Sequence, residues 1–378
     1  MERGYDEGGA LDALNKIYVE PTNRCNLECV TCIRHAWDEP VGDMAWPVFQ
    51  SLIDGLADFP DAKTVAFAGL GEPLLHGQFP EMVRLAHARG LRTEMTSNAL
   101  LLTPSLAGRL IEAGLDQFTV SIDGASVDSH KAIRPGASLE AITANILTLY
   151  RLSEDARETP LRIGIEFVAM RRNIHELPAL REIAHRIKAS FVLVTNVIPY
   201  TTELQDEILY NMGPSTHEND GSPYNPLWIL PYMDWSQETQ GPLSAMMRQQ
   251  PKLSFLDINL DQRNNYCPFV QAGSIAVAWH GGLSPCPALL HSYRCFVRGR
   301  RKDFRRCEFG HLPEQLLVAI WSNPEYTAFR ERVRRFDFSP CTDCGGCDLG
   351  ESNEEDCFGN PFPVCGDCLW ARGVLRCA

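Results

Sequence analysis

Over the first two hundred positions the chain alternates between two patterns. Short β-rich apolar runs at 16–20, 64–68, 92–96, 117–121, 162–168 and 191–194 are separated by stretches in which apolar residues return at helical spacing. Val83, Leu85 and Ala86 show that spacing, as do Leu106, Leu110 and Ile111. Thr103-Pro104 and Leu177-Pro178 read as helix starts, because a proline in the first turn removes an N–H that has no helical partner there. Six strand-then-helix units in succession predict an α/β fold with a parallel sheet, two units short of an eight-fold barrel. From 200 to 262 the alternation gives way to Pro, Gly, Tyr and Trp. This reads as an ordered insertion whose aromatics, Trp228 and Trp235 among them, either line a pocket or fill a core. The expected division is a lead at 1–15, a barrel at 16–199, the insertion at 200–262 and a cysteine-rich unit at 263–378.

A chain of 378 residues, 44% of them hydrophobic, can bury a sizeable core and form two domains. No apolar run approaches the roughly 18 residues of a membrane helix, and the first residues lack the basic-then-apolar order of a signal peptide, so the cytoplasm is the expected location. A formal charge of −13 argues against bulk affinity for nucleic acid or an anionic membrane. Against that background, positions 294–306 hold seven basic side chains. They suit an acidic electron donor such as reduced ferredoxin or flavodoxin, a phosphorylated cofactor, or a solvated loop.

The fourteen cysteines fall into short-spaced clusters, which favours metal ligation in a reducing compartment over disulfides. Cys25, Cys29 and Cys32 follow the first strand. Three soft thiolates at this spacing suit an iron–sulfur cluster or zinc, with His35 the local candidate for a fourth zinc ligand. Parallel βα folds place ligands at the carboxyl ends of their strands, so the turns after the second, third and fourth strands are further candidates.

The CxxxCxxC pattern, with Asn26 after its first cysteine, resembles the radical S-adenosylmethionine (SAM) superfamily. That resemblance implies a partial (β/α)6 TIM-like barrel in which Cys25, Cys29 and Cys32 hold a [4Fe–4S] cluster whose fourth iron is open to SAM. It also implies reductive cleavage of SAM to a 5′-deoxyadenosyl radical. Ala68-Gly69-Leu70-Gly71-Glu72-Pro73 resembles the family's Gly-Gly-Glu-Pro motif with Leu70 at the first glycine, implying that Gly71 and Glu72 meet the SAM amino group. Thr96-Ser97-Asn98-Ala99 is similar to the family's Thr-Asn-Gly turn, with Ala99 where glycine is usual, and adds Ser97 and Asn98. Ser121 and Arg134 match places where the SPASM-type branch holds the SAM ribose and carboxylate, and Asp123 of the same turn is a further SAM-site candidate.

The other eleven cysteines all lie beyond residue 266. Cys267, Gly281 and Cys286 resemble the opening of the SPASM iron–sulfur domain, while the later spacing departs from its pattern. Cys267, Cys286, Cys341, Cys344, Cys347, Cys357, Cys365 and Cys368 supply the eight thiolates of two auxiliary [4Fe–4S] clusters, with the partition open; zinc ribbons are the alternative. Cys295, Cys307 and Cys377 are left over. The strings Cys344-Gly-Gly-Cys347, Asn353-Glu-Glu-Asp-Cys357-Phe-Gly-Asn-Pro-Phe-Pro363 and Cys365-Gly-Asp-Cys368-Leu-Trp370, with Gly42-Asp43-Met44, resemble radical SAM maturases of tungsten-cofactor enzymes. This narrower resemblance implies action on a tungsten-pterin oxidoreductase or its cofactor. Modification of a peptide or protein is the enzymatic alternative, and an iron–sulfur electron carrier or zinc-scaffolded binding protein is the non-enzymatic one.

Overall fold

Six parallel strands form where the apolar runs predict them: β1 Lys16–Val19, β2 Thr64–Phe67, β3 Arg92–Ser97, β4 Gln117–Ser121, β5 Arg162–Ala169 and β6 Phe191–Asn196. Each bound lies within two residues of the expected one. The computed structural model describes residues 13–210, 227–229, 231, 233–234, 236–248, 252–254, 266–297, 299–339 and 348–377. Among the described residues no helix is long and apolar enough to cross a membrane.

Neighbouring strands pair in parallel register, joined by helices α1 Trp46–Gly55, α2 Phe79–Ala88, α3 Pro104–Ala113, α4 Val127–Ile133, α5 Leu139–Ala156 and α6 Leu180–Arg186. The Thr103 hydroxyl caps α3 by accepting from the Leu106 N–H, with Pro104 at the first turn as the sequence predicts. The other proline start is displaced, since α6 begins at Leu180.

Strand alternation gives the sheet two chemically different faces. Val65, Phe67, Phe118, Val120, Ile165 and Phe167 are wholly buried in the main core. The opposite, concave face carries Lys16, Glu94, Gln117, Thr119, Ser121 and Glu166, which is unusual for parallel strands, normally apolar on both sides. Its floor is closed by an ion pair of 2.9 Å from Lys16 Nζ to Glu94 Oε2 and by Arg92, which donates to Glu94 and to Gln117.

The sheet extends at both edges, giving ten strands in the order β10-β9-β1-β2-β3-β4-β5-β6-β7-β8. Here β7 Leu227–Ile229 and β8 Lys252–Ser254 come from the segment expected to be irregular, which also holds a helix at Gln237–Arg248. Strands of three residues are too short to display an alternation, so the pattern missed them. The aromatic side chains assigned there to a pocket or core, those of Trp228 and Trp235, lie outside the described residues.

At the other edge β9 Ser274–Val277 pairs in parallel with β1, and β10 Leu283–Ser284 pairs antiparallel with β9, so the sheet continues into the cysteine-rich region. That region adds a hairpin of β11 Tyr293–Val297 and β12 Arg300–Phe304. Its last residues return to the barrel, where Asn196 Nδ2 donates to the Val374 carbonyl and the Arg376 N–H donates to Thr195 Oγ1. A second tie centres on a buried histidine: His291 sits between the half-buried Glu39 (Nδ1 to Oε2, 2.7 Å) and the buried Glu20 (Nε2 to both oxygens, 3.0 Å). Burial opposes its charge, but the two carboxylates outweigh it and lift its pKa to about 9.

Candidate active site

The loop after β1 carries Cys25, Cys29 and Cys32 to the carboxyl end of the sheet. Cys29 is buried and the other two half-buried. Burial raises all three thiol pKa values, Cys29 to about 11, so these thiols stay protonated unless metal takes the proton's place. Two N–H donors approach their sulfurs. Asn98 Nδ2 lies 3.9 Å from Cys25 Sγ and Arg134 Nη1 lies 3.8 Å from Cys29 Sγ. Donors on sulfur stabilise thiolates and bound cluster sulfides, so this set fits an anionic iron–sulfur cluster. His35, the candidate zinc ligand, turns Nε2 to the Cys29 carbonyl at 3.2 Å and to Glu28 at 3.6 Å, and its ring stacks on Tyr200.

The turn after β2 is pressed against this loop. A Cβ on Gly71 would stand 2.0 Å from the Thr22 carbonyl oxygen and 2.7 Å from that of Arg24, so only glycine permits the approach. The Glu72 N–H donates to Arg24 O at 2.7 Å, and the Leu70 N–H donates to Glu20. Leu70, at the first glycine of the motif, thus contributes through its backbone. The Glu72 carboxylate is buried and accepts from Ser97 Oγ at 2.7 Å, the Asn98 N–H at 2.8 Å and the Leu74 N–H at 3.1 Å. Burial raises its pKa against those bonds. Ser97 and Asn98 are therefore drawn to the same spot as Glu72, and Asn98 also donates to Asn26 Oδ1. Ala99 adopts φ 58°, the left-handed backbone that glycine takes without strain.

Across the site, Arg134 Nε donates to Asp123 Oδ2 at 2.7 Å. Burial works against the arginine charge and Asp123 outweighs it, so the guanidinium stays ionised. Asp123 is itself held by the Val168 N–H at 2.8 Å, and Asn173 donates to the Asp123 carbonyl at 2.9 Å. Ser121 is buried, and its hydroxyl has no hydrogen-bond partner among the described residues. The expected residues thus gather in two groups: Cys25 with Asn98, Ser97 and Glu72, and Cys29 with Arg134 and Asp123.

Sequence reasoning missed Glu20 and Asn173, which hold these groups in place. A carboxylate ending the apolar run Ile17–Val19 was the available signal for Glu20; Asn173, in an ordinary turn, carried none.

The later cysteines are sorted by the fold. Cys267, Cys286, Cys365 and Cys368 line one enclosed, almost wholly apolar cavity with Phe269 and Tyr293. Burial lifts their pKa values, Cys267 to about 12, and the four lie within one another's electrostatic reach. Four mutually facing thiols in apolar walls fit a fully ligated cluster. Cys357 stands apart, its Sγ 3.0 Å from Ser339 Oγ, and Cys341, Cys344 and Cys347 lie outside the described residues. Cys295 also borders the cavity, Cys307 is buried beside Glu308, and Cys377 accepts from Trp370 Nε1 at 3.1 Å.

The basic island sits on the β11–β12 hairpin and is largely neutralised from within. Asp303 takes Arg294 and Arg301, Asp367 takes Lys302 in a buried pair of 2.5 Å, Glu354 takes Arg305, and Glu39 faces Arg306.

Residues 19–159 match the radical SAM superfamily, and residues 267–348 match the SPASM iron–sulfur cluster-binding domain. Cys357, Cys365 and Cys368 lie beyond the second match. The chain is 31% identical over 370 residues, 96% of each protein, to the tungsten-containing aldehyde ferredoxin oxidoreductase cofactor-modifying protein of Pyrococcus furiosus. It is 31% identical over 315 residues, 81% of each, to an AdoMet-dependent heme synthase of Methanosarcina barkeri. Among solved structures, Streptococcus suis SuiB bound to precursor peptide SuiA superposes with TM-score 0.60 at 13% identity, over 84% of this chain and 67% of that one. Native anSMEcpe with bound AdoMet superposes with TM-score 0.56 at 15% identity, over 88% and 87%. At these identities the structural likeness is one of fold.

Proposed function

Because the chain belongs to the radical SAM superfamily and carries its SPASM iron–sulfur domain, we propose that this enzyme modifies the cofactor of a tungsten oxidoreductase. The observation that carries the reading is 31% identity across 96% of both chains with a protein named for that task. When bound, a [4Fe–4S] cluster with one open iron would supply the electron for reductive cleavage of SAM. The chain's own residues hold and shield that chemistry.

Cys25, Cys29 and Cys32 would hold this cluster, with Asn98 and Arg134 donating toward the Cys25 and Cys29 sulfurs. Gly71 and Glu72 shape the wall against the loop, with the Glu72 carboxylate ordering Ser97 and Asn98. The Ser121 hydroxyl at the end of β4, with Asp123 just beyond it and Arg134 at the end of α4, would meet the SAM ribose and carboxylate. Cys267, Cys286, Cys365 and Cys368 would form one auxiliary ligand set, which leaves Cys341, Cys344, Cys347 and Cys357 of the eight expected thiolates. Reduced ferredoxin or flavodoxin is the electron donor, and the cytoplasm the location.

The test uses anaerobically reconstituted, dithionite-reduced enzyme and follows 5′-deoxyadenosine with and without the isolated tungsten cofactor and the intact oxidoreductase. A gain with either supports the reading. A gain with an unrelated peptide and with neither of these replaces it by peptide modification.

A further inference from the structure

The concave face of the sheet holds polar groups that the SAM-site residues leave unused. Glu166 of β5 pairs in register with Ser121 of β4, so both project from the same face, and Thr119 lies two residues earlier on that face. Glu166 is half-buried; its backbone carbonyl accepts from the Ile122 N–H, while its carboxylate makes no hydrogen bond among the described residues. Burial lifts its pKa to about 7, with Arg134 opposing and Asp123 adding to the rise. Thr119 is wholly buried, and its hydroxyl is without a partner.

The chamber is lined on another side by the end of the chain. The bonds from Asn196 to Val374 and from Arg376 to Thr195 bring Cys377 within electrostatic reach of Glu166, Lys16 and Tyr18. Next to it, Arg376 keeps a buried Nε with no partner. An unpaired carboxylate, hydroxyl and guanidinium nitrogen are each costly inside a fold, and such groups persist where a ligand completes them.

We infer that Glu166 is a substrate-contacting residue whose carboxylate accepts two adjacent N–H groups from an amidine-like edge of the substrate. The 2-amino and N3–H edge of a pterin presents such a pair, and two carboxylate oxygens match it in the way they match a guanidinium fork. This rests on the cofactor reading above, and adds to it which part of the cofactor enters the barrel and which residue meets it. The position level with Ser121 sets that contact beside the place proposed for SAM, as hydrogen abstraction requires.

The experiment measures binding of the fluorescent probe 6-hydroxymethylpterin to reconstituted holoenzyme, together with 5′-deoxyadenosine formation with and without the tungsten cofactor. The wild type is expected to bind the probe. Glu166→Gln weakens binding at least about tenfold, the loss expected of a charge-assisted pair, and Glu166→Asp recovers part of it. The cofactor-dependent gain falls with it. If the wild type gains activity with the cofactor and Glu166→Gln binds probe and gains equally, the assignment is overturned while the cofactor reading stands. A wild type that binds no probe and gains nothing overturns both. If substrate-free SAM cleavage collapses in step with probe binding, Glu166 belongs to SAM and the inference fails.

Discussion

The two cysteine sites solve opposite problems. The loop after β1 leaves its thiols at the mouth of a polar barrel, with Asn98 and Arg134 directed at two sulfurs and the Ser121 hydroxyl unpaired nearby. The Cys267, Cys286, Cys365 and Cys368 set is closed off by Phe269, Tyr293 and other apolar walls. A cluster that must bind a ligand needs polar partners and an opening. A fully ligated one is tuned by exclusion of water and by the few donors that reach it, such as the Val270 N–H at 3.4 Å from Cys267 Sγ.

The sharpest way to break this comparison is to empty each site in turn. Cys25→Ala/Cys29→Ala/Cys32→Ala is expected to lose SAM cleavage entirely while iron falls from about twelve to about eight per chain. Cys267→Ala/Cys286→Ala is expected to lose auxiliary iron, with SAM cleavage in the absence of substrate surviving. Iron analysis and 5′-deoxyadenosine assay read both, and a reversal of the two phenotypes would refute the division of labour.

Gly71→Ala comes next. Its Cβ cannot sit 2.0 Å from a carbonyl oxygen, so the loop or the turn must move, and a displacement near 1 Å is expected to cost about a hundredfold in SAM cleavage. Gly77→Ala, where nothing lies within 4 Å, is the control expected to act like wild type.

The buried His291 joins the barrel residues Glu20 and Glu39 to the cysteine-rich region. Its folded pKa of about 9 exceeds the ordinary 6.5, so its contribution to stability is fully present below about pH 6.5 and lost as pH rises through about 9. About 3 kcal/mol is at stake. Urea midpoints should fall over that window in the wild type, whereas His291→Gln, which strands two carboxylates, should be lower by about 3 kcal/mol at pH 6.5 and flat with pH. A wild-type midpoint that does not fall between pH 6.5 and 9 would show that the imidazolium is not what binds the two regions.

The smallest effect is expected on the hairpin. Arg294→Ala and Arg301→Ala remove exposed pairs with Asp303 and should change stability by under about 1 kcal/mol. If this surface receives an acidic electron donor, the same variants slow reduction by ferredoxin at low salt and not at high salt. An unchanged rate at low salt would leave the island a neutralised hairpin.

What could be read along the chain was whatever a few neighbouring positions encode. Alternation located all six central strands, Thr103-Pro104 opened α3 as expected, and the spacing of Cys25, Cys29 and Cys32 singled out the loop after β1 as the candidate metal site. Ala99 stood in a glycine's place and took the glycine's left-handed backbone. Each of these depends on local periodicity, local backbone preference or ligand spacing within a single loop. Three other features depended on contacts between distant segments and were settled only when the chain folded. Nothing in the spacing of the later cysteines set Cys267 and Cys286 beside Cys365 and Cys368 around one cavity. Glu20 found His291 across 271 positions. The polar lumen with Glu166 emerged only because the strands stood side by side in a fixed register. Composition and spacing constrain which groups a chain owns, whereas which of them share a dielectric, a cavity or a charge partner follows from tertiary packing alone.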